Sequence, residues 1–211
     1  MKKRLKIYLF RHGKSEYNRD HRFTGWQDAK LTREGKEHAK LISEKMKNKK
    51  FELAIHTSLS RSKDTLAPTL KLHPECHLVM EDDRMIERSY GVLEGMNHEI
   101  FLKELGEQIA KESGIDYTDE EKIFLGTQEY EVIHRGYKSK ALDGESFYDV
   151  EQRVGDFIKW LKKIMKEYNI SVAISAHGNS IRLFRKIMEK ASVKEMKTWF
   201  IPYDKVFEYA I

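Results

Sequence analysis

Short apolar runs alternate along this 211-residue chain with longer stretches whose apolar residues return every three or four positions. Residues 5–10, Leu-Lys-Ile-Tyr-Leu-Phe, read as a β-strand stopped by Gly13. After a polar loop, Thr32 can cap a helix whose apolar positions Ala39, Ile42 and Met46 share one face. Leu53–His56 predicts a second strand. Ser60 or Ser62 then opens a helix that Pro68 should kink or shorten. Leu78–Met80 predicts a third strand. Ser146-Phe-Tyr-Asp149 has the spacing of a capping box, and behind it Val150, Val154, Phe157, Ile158, Leu161 and Ile164 form a core-facing stripe. Ile170–Ser175 predicts another strand, residues 178–190 a helix and Lys205–Ala210 a terminal strand. Strands alternating with helices imply an α/β fold, a three-layer sandwich with a mostly parallel central sheet flanked by helices.

Residues 84–145 interrupt this alternation. They carry Gly91, Gly95, Gly106, Gly114, Gly126, Gly136 and Gly144, with amphipathic helix near 98–112. With little apolar mass of its own, the stretch reads as an insertion over one face of a single domain spanning 1–211.

Composition narrows the function classes. The chain is 40% hydrophobic and 35% charged, with a formal net charge of +5. Its lysines are scattered and mostly alternate with Glu, without a nucleic-acid motif or aromatic platform, so no nucleic-acid partner is expected. A mildly basic balance does suit a pocket for a small, phosphorylated, acidic substrate. Cys76 is the only cysteine, which precludes an intramolecular disulfide and fits a reducing compartment. No stretch approaches the ~18 apolar residues of a spanning helix. The expected setting is cytoplasmic, away from membranes.

Candidate chemistry lies at two strand ends. One strand runs into Arg11-His12-Gly13 and another into Ala176-His177-Gly178. Ligands of open α/β sheets collect beyond the carboxyl ends of strands, so both imidazoles should project into one crevice. A following Gly lets the backbone approach a ligand closely. Asn179-Ser180 begin a helix whose free N–H groups favour an anion. Two histidines could hold a metal, but Arg11 stands beside the first, and Arg22 and Arg61 are expected in loops facing the same crevice. Guanidinium groups repel a cation and match phosphate oxygens, so no metal is expected.

The segment Leu9-Phe-Arg-His-Gly-Lys-Ser-Glu-Tyr-Asn18, followed by Arg22-Phe-Thr-Gly-Trp26, resembles the signature of the histidine phosphatase superfamily. Within it the match is closest to the 2,3-bisphosphoglycerate-dependent phosphoglycerate mutases. Further matches are Thr57–Arg61, Glu87–Gly91, Gly95–Asn97, His134–Tyr137, Gly144–Ser146 and Ser175–Ser180. The resemblance implies a phosphoglycerate mutase-like fold and makes His12 the nucleophile that forms a phosphohistidine. Neutral imidazole is available near its ordinary pKa of ~6.5, and its tautomer must be held through the other ring nitrogen, by a backbone carbonyl. Around the transferring group the expected donors are Arg11, Arg61, Asn18, His177 and the backbone N–H of Gly178 or Asn179. Glu87 matches the family's acid/base. Arg22, Thr24, Gly25, Arg88, Tyr90 and Arg135 match positions that hold a carboxylate or second phosphate, and Asn97 shapes the same wall. A mutase would need 2,3-bisphosphoglycerate as priming phosphodonor, and mutases often associate, so a homodimer is a further expectation.

Three departures from the mutase pattern open a second outcome. His98 stands where mutases show Lys, and His134-Arg135 where they show Arg-Arg, so fixed positive charge is weaker here. The stretch between Tyr137 and Gly144 lacks a proline-rich excursion. The sequence closes at Ile211, directly after the last predicted strand, where mutases carry a tail across the site. Without exclusion of water, a phosphohistidine could discharge by hydrolysis. The expected activity is therefore interconversion of 3-phosphoglycerate and 2-phosphoglycerate, with hydrolysis of a small phosphorylated metabolite or phosphoserine as the alternative. A degenerate binding protein would have lost one of His12, Arg11, Arg61, Glu87 or His177, and all five are present.

Overall fold

A computed structural model describes residues 4–211. The first strand, β1 (Lys6–Arg11), is followed by a one-turn helix, α1 (Glu16–Arg19), within the stretch read as a polar loop. Ser15 and Asn18 close that turn as a reciprocal capping box, a signal too short to be recognised without tertiary context. Thr32 caps α2 (Arg33–Met46) as expected, accepting a bond from Gly35 N–H. Next come β2 (Leu53–His56), α3 (Ser60–Lys71) and β3 (Leu78–Glu81). Ser60 opens α3 as expected, with Leu59 at the cap and no side-chain cap bond, while Ser62 Oγ donates to Ser175 O on a neighbouring strand. Pro68 does not shorten α3, which runs on to Lys71.

Residues 84–145 hold two α-helices, where the sequence indicated helix only near 98–112. These are α4 (His98–Ser113) and α5 (Asp119–Arg135). Gly114 in the left-handed region stops α4, and a Thr118–Glu121 capping box starts α5. The pair closes as a hairpin through glycines: a Cβ on Gly106 would stand 2.0 Å from Lys122 O, and one on Gly126 2.0 Å from Leu102 O. Its inner side has its own small core of Phe23, Tyr90, Leu93, Phe101 and Ala141, so the stretch carries more apolar packing than its sequence suggests.

The chain then forms α6 (Phe147–Tyr168), β4 (Val172–Ala176), α7 (Gly178–Glu189), α8 (Val193–Thr198) and β5 (Val206–Ala210). The short α8 went unread in the sequence. The sheet order is β3-β2-β4-β1-β5, with every neighbour parallel except β5, which runs antiparallel to β1. Alternation within the strands supplies both faces: Ile7 and Leu9 join the core under α6 and α7, while Tyr8 and Phe10 join the core under α2 and α3. The α6 stripe is buried as predicted except at Ile164, which is half-buried while Met165 takes the inner position. Truncating a fully buried side chain such as Phe157 to Ala should cost about 3–5 kcal/mol. Three layers thus set the carboxyl ends of β1, β2 and β4 at one edge, beneath the α4–α5 hairpin.

Candidate active site

The two strand-end histidines do meet. β1 and β4 are parallel neighbours, His12 N–H donates to Ala176 O at 2.9 Å, and the two ring centroids lie 4.9 Å apart. His12 Nδ1 donates to Gly13 O at 2.7 Å, which leaves a lone pair on Nε2. Burial, then the Arg61 and Arg11 charges, drive the His12 pKa well below the ordinary imidazole range. His177 Nε2 lies 2.8 Å from Thr57 Oγ1; with the hydroxyl donating, the ring proton sits on Nδ1, a buried atom without a protein partner. Its pKa is also driven well down, by burial first and by Arg61 next.

The two glycines after these histidines serve different ends. A Cβ on Gly13 would stand 2.1 Å from Gly35 O, so this glycine lets the strand end press against the start of α2, not against a ligand. A Cβ on Gly178 would only touch the Arg11 guanidinium and Glu87 Oε2, at 3.5 and 3.6 Å, and that residue does line the crevice.

Arg61 lies in the first turn of α3 rather than in a loop, and it is wholly buried. Its Nη1 donates to Gln27 O and its Nη2 to Gly25 O, at 2.7 and 2.8 Å, while Nε is unpartnered. Burial lowers its pKa to about 10. Arg11 is held by Ile201 O at 3.0 Å and lies 4.2 Å over the Tyr203 ring, again with an unpartnered Nε. Gly25 takes a φ of +52°, and a Cβ there would collide with the Glu94 carboxylate. Glu94 accepts from Trp26 N–H, Tyr90 N–H and Ser89 Oγ, each at 3.0 Å, and so ties the Thr24-Gly25-Trp26 loop to the Glu87 loop.

Glu87 makes no salt bridge to Arg88. Its Oε1 accepts from Arg88 N–H at 2.8 Å and from Asn179 N–H at 3.1 Å. Asn179 N–H is therefore committed to Glu87, not left as an open donor. The Glu87 carbonyl accepts from Trp26 Nε1 at 2.8 Å and from Arg153 Nη2 at 3.0 Å. Arg153 also reaches Arg84 O and Ile86 O and pairs with Glu145, so it fastens the Glu87 loop to α6. Sequence reading missed Arg153, Glu94 and Thr57, which act only through other residues.

A cavity of about 420 Å³ opens above this floor, lined by Arg11, Asn18, His21, Arg22, Phe23, Thr24, Glu87, Tyr90, His98, Tyr130, His134, Arg135, Gly178, Asn179, Arg182, Phe200, Ile201 and Tyr203. A larger cleft of about 550 Å³ lies on α4 and α5 around Glu99, Leu102 and Lys122 and contains none of the expected site residues. Of the expected residues, His12, Gly25, Arg61 and His177 are not part of this lining, and Arg88 also stands apart. It is buried behind the wall, 4.5 Å from the Tyr90 ring and 4.6 Å from Phe147, and donates to Ile133 O. Asn97 caps α4 and donates to Asp20 O, which shapes the wall from outside it. Tyr90 is both core and lining, with its hydroxyl 3.4 Å from Asn179 Nδ2.

The wall is mainly aromatic, and apart from Arg135 at the end of α5 its basic side chains are histidines. His134 is stacked between Tyr130, at 4.8 Å, and Tyr90, at 6.1 Å. Burial and then Arg135 push its pKa down to about 2. His98 packs 4.3 Å from Phe23 and lies 3.3 Å from the Tyr130 hydroxyl, and burial pushes its pKa down to about 4. Both imidazoles are neutral at pH 7. Among the described residues no cluster of three or more His, Cys, Asp or Glu is placed to hold a metal ion, and no helix is long and apolar enough to cross a membrane.

The arginines in and beneath the crevice differ from several elsewhere in the way they are paired. Arg19, Arg84, Arg153 and Arg185 each pair with a carboxylate, whereas Arg11, Arg22, Arg61, Arg135 and Arg182 form no ion pair among the described residues. Fold and site together define an α/β protein with a crevice lined by unpaired guanidinium groups beside a pair of buried imidazoles. The chain belongs to the histidine phosphatase superfamily (branch 1), whose profile matches residues 7–209. A 2,3-bisphosphoglycerate-dependent phosphoglycerate mutase of Buchnera aphidicola subsp. Cinara cedri is 34% identical over 200 residues, covering 90% of this chain and 86% of that protein. Among solved structures, a mycobacterial glucosyl-3-phosphoglycerate phosphatase superposes with a TM-score of 0.71 at 19% identity, covering 98% of this chain and 97% of that one. A phosphoglycerate mutase from Bacillus anthracis gives 0.67 at 22% identity, covering 90% and 82%. These structural likenesses carry the phosphoglycerate mutase-like fold.

Proposed function

We propose that this enzyme transfers phosphoryl groups through a phosphohistidine on Nε2 of His12 and interconverts 3-phosphoglycerate and 2-phosphoglycerate. The observation that supports it best is the set of unpaired guanidinium groups, with Arg11 and Arg61 by the histidines and Arg22, Arg135 and Arg182 around the rest of the crevice. A mutase needs charge in both places, because its substrate carries a phosphoryl group and a second anion. The 34% identity to a mutase across most of the chain supports the same reading.

In this reaction the Nε2 lone pair of His12 attacks phosphorus as the bond to the substrate oxygen breaks. Nδ1, held by Gly13 O, keeps that lone pair available. The unpartnered donors of Arg11, Arg61 and His177 stabilise charge on the three non-bridging oxygens. Glu87, with Oε1 tied to backbone N–H groups, gives a proton from Oε2 to the leaving alkoxide and regains one from the accepting hydroxyl, so the cycle balances. His12 is primed by 2,3-bisphosphoglycerate. Asn18, Arg22, Thr24, Tyr90 and Arg135 hold the remainder of the substrate, and the lone Cys76 suits a cytoplasmic setting.

Neutral His98 and His134 favour a second reading, hydrolysis of a small phosphorylated metabolite or phosphoserine, because they withhold fixed charge from a bisphosphorylated intermediate. One assay separates the two. The protein is incubated with 3-phosphoglycerate, with and without 2,3-bisphosphoglycerate, while 2-phosphoglycerate and free phosphate are followed. Isomerisation that requires the bisphosphate is the expected result; phosphate release without isomerisation would overturn it in favour of the phosphatase.

A further inference from the structure

Arg182 was singled out by no motif, yet it lines the crevice from the second turn of α7. Its guanidinium is clamped on two sides: Nε donates to Trp199 O at 2.8 Å, and Nη1 to Asn179 Oδ1 at 2.5 Å. The remaining nitrogen, Nη2, is bound by none of the described residues, and no carboxylate pairs with the group. Arg135 lines the same cavity, and each guanidinium opposes the other's charge. A rigid, half-buried, unpaired cation beside a second cation is unfavourable in the empty protein and is relieved by an anion between them. His98 and His134, which line the same cavity, add no positive charge of their own.

We propose that Arg182 is a specificity-determining residue that, with Arg135, grips the second anionic group of the substrate, the carboxylate of a phosphorylated hydroxy acid. This deepens the mutase reading and rests on it for the substrate class. In place of charge at His98 and His134, selectivity for the carboxylate comes from α7. Its planar, two-point-anchored guanidinium holds a fixed orientation that a mobile lysine would not.

The test compares two monoesters that differ at one group, 3-phosphoglycerate and glycerol 3-phosphate, with inorganic phosphate as a third ligand for the floor alone. Dissociation constants are measured by calorimetry for the wild type, Arg182→Gln and Arg182→Lys, so no turnover is required. Wild type should prefer the carboxylated ester, and Arg182→Gln should erode that preference by at least about tenfold, with Arg182→Lys in between. An unchanged preference in Arg182→Gln would overturn the proposal. So would an equal loss for all three ligands, the mark of a residue that merely supports Asn179 and Trp199. Should Arg182→Gln fail to fold, Arg182→Lys decides alone: an undiminished preference refutes the role of the fixed fork. Wild type without any preference also refutes it, whatever the isomerisation assay shows. Preference for the carboxylate without isomerisation would instead remove the mutase reading and leave Arg182 in place.

Discussion

The floor and the wall of the crevice are built on opposite principles. The floor is made of strand ends and helix starts, where backbone hydrogen bonds fix each functional atom: Ala176 O holds His12, Gly13 O its tautomer, and two N–H groups one oxygen of Glu87. Its cations, Arg11 and Arg61, are anchored on carbonyls rather than carboxylates, which keeps their charge uncompensated. The wall comes from α4 and α5, and its side chains hold one another by stacking, with His134 between Tyr90 and Tyr130. Burial strips its histidines of charge. Chemistry that must be the same at every turnover is fixed by backbone; recognition, which can vary, is entrusted to side chains.

Substitutions in the floor should therefore abolish transfer, and those in the wall should only change which ester is used. His12→Ala should lower kcat by a factor on the order of 10⁴ or more in single-turnover kinetics, because no other group supplies the nucleophile. Glu87→Gln should cost roughly 10²–10⁴ in kcat with a leaving group of ordinary alkoxide basicity, and much less with a phenolate that needs no proton. A loss equal for both leaving groups would show that Glu87 acts by position alone. Arg153→Met, which frees the Glu87 loop and strands Glu145, should destabilise the fold by about 2–3 kcal/mol in urea unfolding.

Acid should expose the same contrast through stability. His12, His177, His134 and His98 all have folded-state pKa values pushed below the unfolded value of ~6.5, so below that pH the unfolded chain binds more protons than the folded one. Stability should be intact above pH 7 and fall by about 1–2 kcal/mol for each of His12, His177 and His134 between pH 7 and 5, and by less for the partly solvated His98. Loss should continue toward pH 4 for His98 and further for His134. Stability that stays flat from pH 7 to 5 would contradict the burial described here. The smallest effect belongs to the wall: His98→Lys should tighten 3-phosphoglycerate only a few-fold, measured against glycerol 3-phosphate, by adding a partly solvated charge.

The floor was legible in the sequence because its parts are contiguous: a strand, a His-Gly step and a helix start leave a local pattern at Arg11–Gly13 and again at Ala176–Gly178. So were the layers, since each strand and each amphipathic helix declares its own period. The second helix of the hairpin was not, because its apolar residues face both the small core around Phe23 and open surface at Ile123, Phe124 and Val132. Arg182 and Arg153 were invisible for another reason. Each sits on a helix whose periodicity says only that it is off the core stripe, and the carbonyls they bind come from distant loops. Gly13 taught a similar lesson: its need for a bare backbone arises from Gly35, which no local pattern links to it.

The central claim, that His12 accepts the phosphoryl group, is tested most directly by trapping it. Wild-type enzyme is mixed with 2,3-bisphosphoglycerate, quenched in alkali, digested and mapped by mass spectrometry, with an acid-treated portion alongside. Phosphate on the His12 imidazole, preserved in alkali, lost in acid and missing from His12→Ala, is the predicted result. A stable phosphate on any other residue, or turnover of phosphate esters with His12 unmodified and dispensable, would contradict it.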